Sequence, residues 1–104
     1  KYPWDLPERW VNASSKMNLS TYFNFVSTND ITGGSSGSPI INKNREIIGI
    51  AFDGNIESLA GDFLYDEQNN RCVGVTSQGI LEILHNVAGA DRIRDELLNG
   101  KISK

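Results

Sequence analysis

The sequence predicts a mainly β fold of antiparallel hairpins followed by C-terminal helices. Apolar runs separated by short polar turns recur between residues 21 and 77, which is the pattern of hairpins. From Gln78 onward the apolar residues recur at helical spacing instead. Because strands joined by short turns pair in antiparallel fashion, an antiparallel sheet or barrel is favoured over alternating strands and helices. The predicted strands are too few to close a barrel, so further strands are expected outside this stretch.

The first half of the chain is predicted to contain a short helix, a strand and a hairpin. Pro7 and Glu8 suit the first turn of a helix that runs to about Lys16, because proline has no N–H to lose there and an acid suits the positive end. Alternating or apolar runs predict strands at residues 21–28, 38–42 and 46–52. The last two flank a short polar turn and are expected to pair as a hairpin.

The second half is predicted to hold a second hairpin and two helices. Residues 53–61 are expected to form a loop of uncertain order. Residues 62–66 and 71–77 are predicted to be strands around the turn 67–70. The helix that begins near Gln78 should stop at Gly89, and Asp91 should cap a final helix that ends at Gly100, a pair of helices expected to close the chain.

Composition and length indicate one globular domain. The chain has 104 residues, of which 38% are hydrophobic and 22% charged, and its net charge of −3 argues against a nucleic-acid partner. No apolar run approaches the roughly 20 residues of a membrane span. Without an initiator Met or secretory leader, the chain is interpreted as part of a longer polypeptide. We expect a lead-in at residues 1–20, the β portion at 21–77 and a helical tail at 78–104.

A glycine- and serine-rich stretch, DITGGSSGSP at residues 30–39, is the main candidate for function. It lies directly between a strand and a hairpin, so a flexible linker is not favoured. It also lacks the Gly-Lys-Ser/Thr ending of a phosphate-binding loop, so that interpretation is not favoured either. Ser36 lies between Gly34 and Gly37, which permit a tight turn. Such a turn would expose the hydroxyl as a nucleophile, and the N–H groups of Gly34 and Ser36 would form an oxyanion hole.

The longer segment FNFVSTNDITGGSSGSPIINKNREIIGIAFDGNIES, residues 23–58, resembles the nucleophile region of the bacterial dipeptidyl-peptidase 7 and 11 family. The tail VGVTSQGILEILHNVAGADRIRDEL resembles the final strand and helices of that family. Ser35 stands where the family usually has Asn, which is expected to preserve the turn but to loosen a supporting hydrogen bond. The resemblance implies the C-terminal, or second, β-barrel portion of a chymotrypsin-like double barrel.

The resemblance also implies roles for individual residues. Ser36 matches the nucleophile, with Gly34 beside it as an oxyanion-hole amide. Asp53 matches the carboxylate that binds the α-amino group of the substrate, although a plain turn residue is the alternative. Gly54 falls where family members with arginine prefer an acidic residue before the cut bond and members with glycine prefer a hydrophobic one. Pocket walls are expected from Ile31, Thr32 and Phe52.

Part of the expected catalytic machinery has no candidate in the sequence. The one histidine, His85, follows Ser36, whereas in chymotrypsin-like enzymes the triad His and Asp precede the serine. His85 is therefore interpreted as a surface or core-edge residue, and none of Asp30, Asp62 and Asp66 is taken as the triad acid. The lone Cys72 excludes a disulfide or a Cys-based metal site within the chain and is expected to be a small buried hydrophobe.

The family resemblance implies a bacterial enzyme that is secreted, periplasmic or on the cell surface. Its substrates would be peptides with a free N-terminus, it would need no metal or organic cofactor, and it would form a homodimer. This stretch alone would be inactive without the N-terminal half of the same polypeptide. Two alternatives stay open: a chymotrypsin-fold endopeptidase, which would cut substrates with blocked N-termini, and a non-catalytic β module whose Gly-Ser loop binds a peptide end or an anion.

Overall fold

The computed structural model describes residues 2–102. In chain order they form α1 (Glu8–Ala13), β1 (Asn24–Ser27), β2 (Pro39–Ile41), β3 (Ile47–Gly54), a 3-10 helix (Ile56–Ala60), β4 (Cys72–Thr76), α2 (Ser77–Glu82), a π-helical segment (Ile83–Val87) and α3 (Asp91–Asn99). These elements divide into two compact units. One is Tyr22–Gly79, and the other combines the chain up to Thr21 with the chain from Ile80. Across residues 2–102, the helices are too short and too polar to cross a membrane.

The unit Tyr22–Gly79 is built on one antiparallel sheet with the strand order β1-β4-β3-β2. The predicted hairpin of β2 and β3 is confirmed. Its turn is closed by Asn42, whose side-chain oxygen accepts the N–H groups of Asn44 and Glu46 at 2.9 and 3.0 Å, while Arg45 takes a positive φ of 67°. Asparagine side chains commonly close turns in this way, by bonding to the backbone two residues on.

The predicted second hairpin is wrong, because residues 62–66 do not form a strand. The strand β4 pairs with β1 on one side and with β3 on the other, so it has no free edge for a further strand. The N–H groups of Phe63 and Leu64 turn back onto the carbonyl of Ala60 instead, at 3.1 and 2.9 Å. Asp66 then accepts the N–H of Gln68 at 2.9 Å and holds the next turn. The short apolar run at residues 63–65 could not reveal that the partner strand was already paired on both sides.

The helices before and after the sheet differ from prediction mainly at their ends. Pro7 is the N-cap of α1 rather than a first-turn residue, and α1 ends at Ala13 rather than near Lys16. Gly89 follows the π-helical segment with a φ of +61°, in the left-handed conformation that commonly ends helices. Asp91 is the first residue of α3 and not its cap, which is Ala90. As predicted, α3 stops at Gly100, with φ of +63°.

The sheet face is packed around an aromatic ring and two glycines. A Cβ atom at Gly49 would lie 2.5 Å from Cε1 of Phe25, and one at Gly74 would lie 3.0 Å from the same atom, so the ring rests on bare backbone. Ala51 and Cys72 are buried on the strands, and Cys72 is fully inaccessible to solvent. The prediction that Cys72 is a small buried hydrophobe is confirmed.

Gly49→Ala is therefore expected to lower the free energy of unfolding by about 1–3 kcal/mol, the usual cost of overpacking. The new methyl group would lie 2.3 Å from the carbonyl oxygen of Val75 and too close to the Phe25 ring. Urea unfolding, followed by far-ultraviolet circular dichroism, measures the change. Gly33→Ala is the matched control, because a Cβ there meets nothing within 4 Å. Equal losses in both variants would contradict the packing explanation.

Candidate active site

The loop between β1 and β2 bends tightly around Ser36. Gly34 and Gly37 have φ of +95° and +90°, which residues with a side chain rarely adopt. Ser35 closes the loop through Thr32: its N–H donates to the Thr32 carbonyl at 3.0 Å, and its Oγ accepts the Thr32 N–H at 3.1 Å. The turn thus forms with serine at position 35, and the Ser35 side chain itself supplies a supporting hydrogen bond.

The backbone N–H groups of the loop alternate between bonded and unbonded. Those of Ser35 and Gly37 donate to the carbonyls of Thr32 and Ala51, at 3.0 and 2.8 Å. Those of Gly34 and Ser36 make no hydrogen bond to any residue between 2 and 102. Two unbonded donors, on either side of one residue and open to solvent, are available to an anionic group.

The Ser36 hydroxyl is exposed and donates to the carbonyl of Phe52 at 3.3 Å. Phe52 is the extra residue of a β-bulge: Ala51 pairs with Gly74 and Asp53 with Val73, so nothing on β4 opposes it. A regular strand would alternate buried and exposed side chains, but after the bulge both Phe52 and Asp53 are exposed. The bulge therefore turns the Asp53 side chain outward beside the residue that contacts Ser36.

These residues line one cavity of about 270 Å³, close to the size of a small ligand pocket. Its walls include Ile31, Thr32, Ser36, Phe52, Asp53 and Gly54. The structure thus brings together every site residue predicted from the sequence except Gly34, which lies in the same loop two residues before Ser36. The volume suits one or two amino-acid side chains.

The cavity carries negative charge without a balancing cation. Asp53 and Asp62 line it, whereas no Lys, Arg or His of the described chain does. The Oδ1 atom of Asp53 accepts the N–H of Gly54 at 2.8 Å, and its other oxygen has no partner among residues 2–102. The Asp62 carboxylate is likewise unpaired within that range. A cationic group that entered the cavity would find two unneutralised carboxylates.

Sequence reasoning missed the side of the cavity formed by residues 55–62. Asn55, Ser58, Leu59 and Asp62 line it, and two of them, Ser58 and Leu59, belong to the 3-10 helix, in a stretch that was expected to be a loop. Five residues are too few for a helical period to be visible. An asparagine followed closely by an acid, as in Asn55 and Glu57, was the available signal of a helix start.

Gly54 forms a tight part of the cavity wall. A Cβ atom at this position would lie 3.1 Å from Cδ1 of Ile31 and 3.2 Å from Cβ of Ser58. The absence of a side chain therefore leaves the cavity open between the loop and the 3-10 helix.

His85 belongs to the helical unit, where one ring nitrogen bonds the carboxylate of Asp91. This hydrogen bond is the main reason that the pKa of Asp91 is held below its usual range. The side chain of His85 is 48% exposed, as expected of a surface or core-edge residue. The unit Tyr22–Gly79, which holds the cavity, contains no histidine. Between residues 2 and 102, no three His, Cys, Asp or Glu side chains are grouped as metal ligands.

Comparison with known proteins finds dipeptidyl-peptidases. The chain is 38% identical over 102 residues to dipeptidyl-peptidase 7 of Capnocytophaga gingivalis, covering 90% of this chain and 14% of that protein. It is 51% identical over 73 residues to dipeptidyl-peptidase 7 of Phocaeicola vulgatus, covering 70% of this chain and 10% of that one. It is also 36% identical over 89 residues to the Asp/Glu-specific dipeptidyl-peptidase of Porphyromonas gingivalis, covering 86% and 12% respectively.

Solved structures of dipeptidyl-peptidases are also similar to this chain in fold. The crystal structure of Porphyromonas endodontalis DPP11 in complex with the dipeptide Arg-Glu matches 89% of this chain and 14% of that one, with a TM-score of 0.79 and 30% identity. Both the sequence and the fold of this chain are thus similar to those of dipeptidyl-peptidases. Residues 1–99 match the peptidase S46 family, and the chain belongs to that family. It spans about 14% of the length of the first of these relatives.

Proposed function

We propose that the chain is the nucleophile-bearing part of a serine dipeptidyl-peptidase, which releases dipeptides from the free N-terminus of peptides. The observation that carries the proposal is a single cavity that holds an exposed serine hydroxyl and a partly unpaired carboxylate. The serine lies at a bend whose flanking N–H groups at Gly34 and Ser36 are unbonded within the described chain. A nucleophile, an oxyanion hole and an anchor for an amine are the parts that this reaction needs.

In the proposed reaction, Ser36 Oγ attacks the carbonyl carbon of the second substrate residue and forms an acyl-enzyme. The oxyanion that develops would accept hydrogen bonds from the N–H groups of Gly34 and Ser36. One such donor typically contributes about 2.7–4 kcal/mol to transition-state stabilisation. A histidine from outside this chain would take the hydroxyl proton and pass it to the leaving amine, because the β unit contains no histidine. The Ser36 hydroxyl must then leave its bond to Phe52 and turn toward that base.

The free N-terminus of the substrate would be held by Asp53. Its Oδ1 is occupied by the Gly54 N–H, which fixes the carboxylate and leaves the other oxygen for an ammonium group. A hydrogen bond between two charged partners is roughly twice as strong as one between neutral groups. A carboxylate at a fixed distance from the nucleophile would restrict cleavage to the second peptide bond.

The side chain before the cut bond is proposed to be hydrophobic. Relatives named dipeptidyl-peptidase 7 and relatives named Asp/Glu-specific dipeptidyl-peptidase both match this chain, so their names do not decide the preference. The residues that line the pocket favour a hydrophobic side chain. Ile31 and Leu59 offer apolar contact, and Gly54 adds no side chain that would reach into the cavity. An acidic side chain would meet the carboxylates of Asp53 and Asp62 without a cation to pair with, which costs several kcal/mol for a desolvated charge.

The proposal includes a larger polypeptide. The sheet would form part of the second barrel of a chymotrypsin-like double barrel, and the remaining strands, the triad His and the triad Asp would come from elsewhere in the same protein. The support is that the chain spans only about 14% of its relative dipeptidyl-peptidase 7. Alone, the chain would be inactive. The whole enzyme is proposed to be a secreted, periplasmic or cell-surface homodimer that needs no cofactor.

The test uses the complete polypeptide that contains this chain and matched dipeptidyl reporters. We expect kcat/KM for a free-amine reporter with Leu or Phe as second residue to exceed that of its acetylated form at least about 100-fold. The corresponding Glu reporter should be cleaved at least about 100-fold more slowly than the Leu one. Equal cleavage of acetylated reporters would indicate an endopeptidase, and no cleavage of any reporter would indicate a non-catalytic module. Equal or faster cleavage of the Glu reporter would overturn the hydrophobic preference alone.

A further inference from the structure

The side-chain amide of Asn55 uses all of its hydrogen-bonding capacity. Its Nδ2 donates to the Asn69 carbonyl and to the Glu57 carboxylate, both at 2.7 Å. Its Oδ1 accepts the Ser58 hydroxyl at 2.5 Å and the Arg71 N–H at 2.8 Å. An asparagine amide has two donor hydrogens and two acceptor lone pairs, so none is left for a substrate.

These four bonds tie together three separate stretches of chain. Asn55 directly follows the end of β3, Ser58 lies in the 3-10 helix, and Arg71 precedes β4. The backbone strengthens the junction, because the Asn55 N–H donates to the Arg71 carbonyl at 3.0 Å and the Ser58 N–H to the Asn55 carbonyl at 3.0 Å.

The Arg71 side chain secures the third stretch. Its guanidinium donates to the carbonyls of Glu67, Gln68 and Asn70 at 3.1, 3.0 and 2.7 Å, which fixes the turn that precedes β4. In the same turn, the Asn69 side chain donates to Asp66 and is the main cause of that carboxyl's lowered pKa. The turn before β4, to which the Asn55 side chain bonds, is therefore itself fixed by hydrogen bonds.

The junction is adjacent to the groups proposed to bind substrate, and Asn55 and Ser58 themselves form part of the cavity wall. Asp53 and Gly54 are the two residues before Asn55, and Ser58 Cβ lies 3.2 Å from where a Gly54 Cβ would be. Beyond the bulge at Phe52, Asp53 and Gly54 still pair with β4, and the bonds of Asn55 join this end of β3 to the 3-10 helix. If the junction loosened, the pocket would widen and the Asp53 carboxylate would move at the same time.

We propose that Asn55 is a positioning residue that sets the distance between the amine-binding Asp53 and the pocket wall at Gly54. The inference rests on the proposed function. It predicts that loss of the Asn55 amide weakens recognition of the dipeptide while the Ser36 loop keeps its chemistry, because no bond of that loop runs through Asn55. A residue with a purely structural role would affect both together.

The test measures both properties in the complete polypeptide. Recognition is followed as kcat and KM for free-amine reporters with Phe or Ala as second residue. The nucleophile is followed by its reaction with methanesulfonyl fluoride, which needs neither an amine nor a filled pocket. In that reaction Ser36 Oγ displaces fluoride from sulfur, a sulfonate ester forms, and the hydroxyl proton passes to the catalytic base.

We expect Asn55→Ala to lower kcat/KM for the Phe reporter about 10–100-fold, mainly through KM, and to narrow the preference for Phe over Ala. Labelling by methanesulfonyl fluoride should stay within about twofold of the wild-type rate. Asn55→Asp alone would place a carboxylate oxygen against the Glu57 carboxylate, so it is combined with Glu57→Gln, whose amide can donate to that oxygen. Only the bond to the Asn69 carbonyl is then lost, so the double variant should give a smaller loss in the same direction. It also keeps the proposal testable if the alanine variant does not fold. Asn44→Ala is the control, because its exposed side chain makes no hydrogen bond within residues 2–102.

Two results would overturn the positioning role. One is an unchanged kcat/KM in both Asn55 variants, and the other is a parallel fall of labelling and hydrolysis in both. Failure of the proposed function looks different, since the wild-type protein would then neither cleave the reporters nor react with methanesulfonyl fluoride at Ser36.

Discussion

Ser36→Ala in the complete polypeptide is expected to lower kcat for a free-amine dipeptidyl reporter by about 10⁴-fold or more. The substitution removes only the hydroxyl group. In enzymes whose triad acts as a unit, loss of the serine nucleophile lowers kcat by at least about this factor of 10⁴. The bend should survive, because Gly34, Ser35 and Gly37 set it through their backbone angles and the bonds to Thr32. KM should therefore change little. Steady-state kinetics, together with mass spectrometry for a trapped acyl-enzyme, measures the effect.

Ser38→Ala is the matched control for this experiment. Ser38 lies in the same loop, it is exposed, and its side chain makes no hydrogen bond with a residue between 2 and 102. We expect its activity to remain within about twofold of the wild type. Undiminished hydrolysis by Ser36→Ala would remove the nucleophile assignment, whatever the control does.

Asp53→Asn is expected to lower kcat/KM for free-amine reporters about 100-fold, which corresponds to about 2.7 kcal/mol. Asparagine can still accept the Gly54 N–H, so the end of β3 should keep its conformation while the charge is lost. The residual activity should also lose its dependence on the charge of the amine. For the wild type, kcat/KM should fall as pH rises above about 8, where an α-amino group loses its proton. Rates measured between pH 6 and 9.5 test both points.

Glu67→Gln is the control for the charge itself. Glu67 is exposed on the turn before β4 and does not line the cavity, so its removal changes the net charge by the same amount. If Asp53→Asn and Glu67→Gln lose activity equally, a general effect of charge explains the loss, and a specific contact of Asp53 with the amine does not. If Asp53→Asn behaves as the wild type, the amine is bound by another group, and the Asp62 carboxylate of the same cavity is the first to examine.

Local sequence patterns sufficed for the features that depend on neighbouring residues. The hairpin of β2 and β3 follows from two apolar runs around an Asn-rich turn, and Gly34 and Gly37 adopt positive φ beside Ser36. The burial of Cys72 follows from its apolar strand. Each of these results from chemistry within a few residues of the position concerned.

The missed features depend on contacts between distant residues. The stretch 62–66 holds three consecutive apolar or aromatic residues, as a short strand can, yet both edges of β4 are already taken by β1 and β3. Leu59 and Asp62 reach the cavity only because the 3-10 helix folds back beside β3, and five residues carry no visible period. The bulge at Phe52 likewise exists only in the pairing with β4. Apart from the start of the 3-10 helix, which Asn55 and Glu57 could have indicated, these features have no signal within a single segment.

The bulge has a consequence for how this protein can change over time. Adjacent positions along a strand project to opposite sides, so parity decides which way a side chain faces. Because Phe52 is an extra residue between Ala51 and Asp53, the Asp53 side chain points to the side opposite to the one that regular alternation would give. Amino-acid replacements in β3 can therefore accumulate without disturbing the orientation of Asp53, whereas a single-codon deletion there would point it into the protein interior. For the direction in which Asp53 points, the number of residues in this segment matters more than their identity.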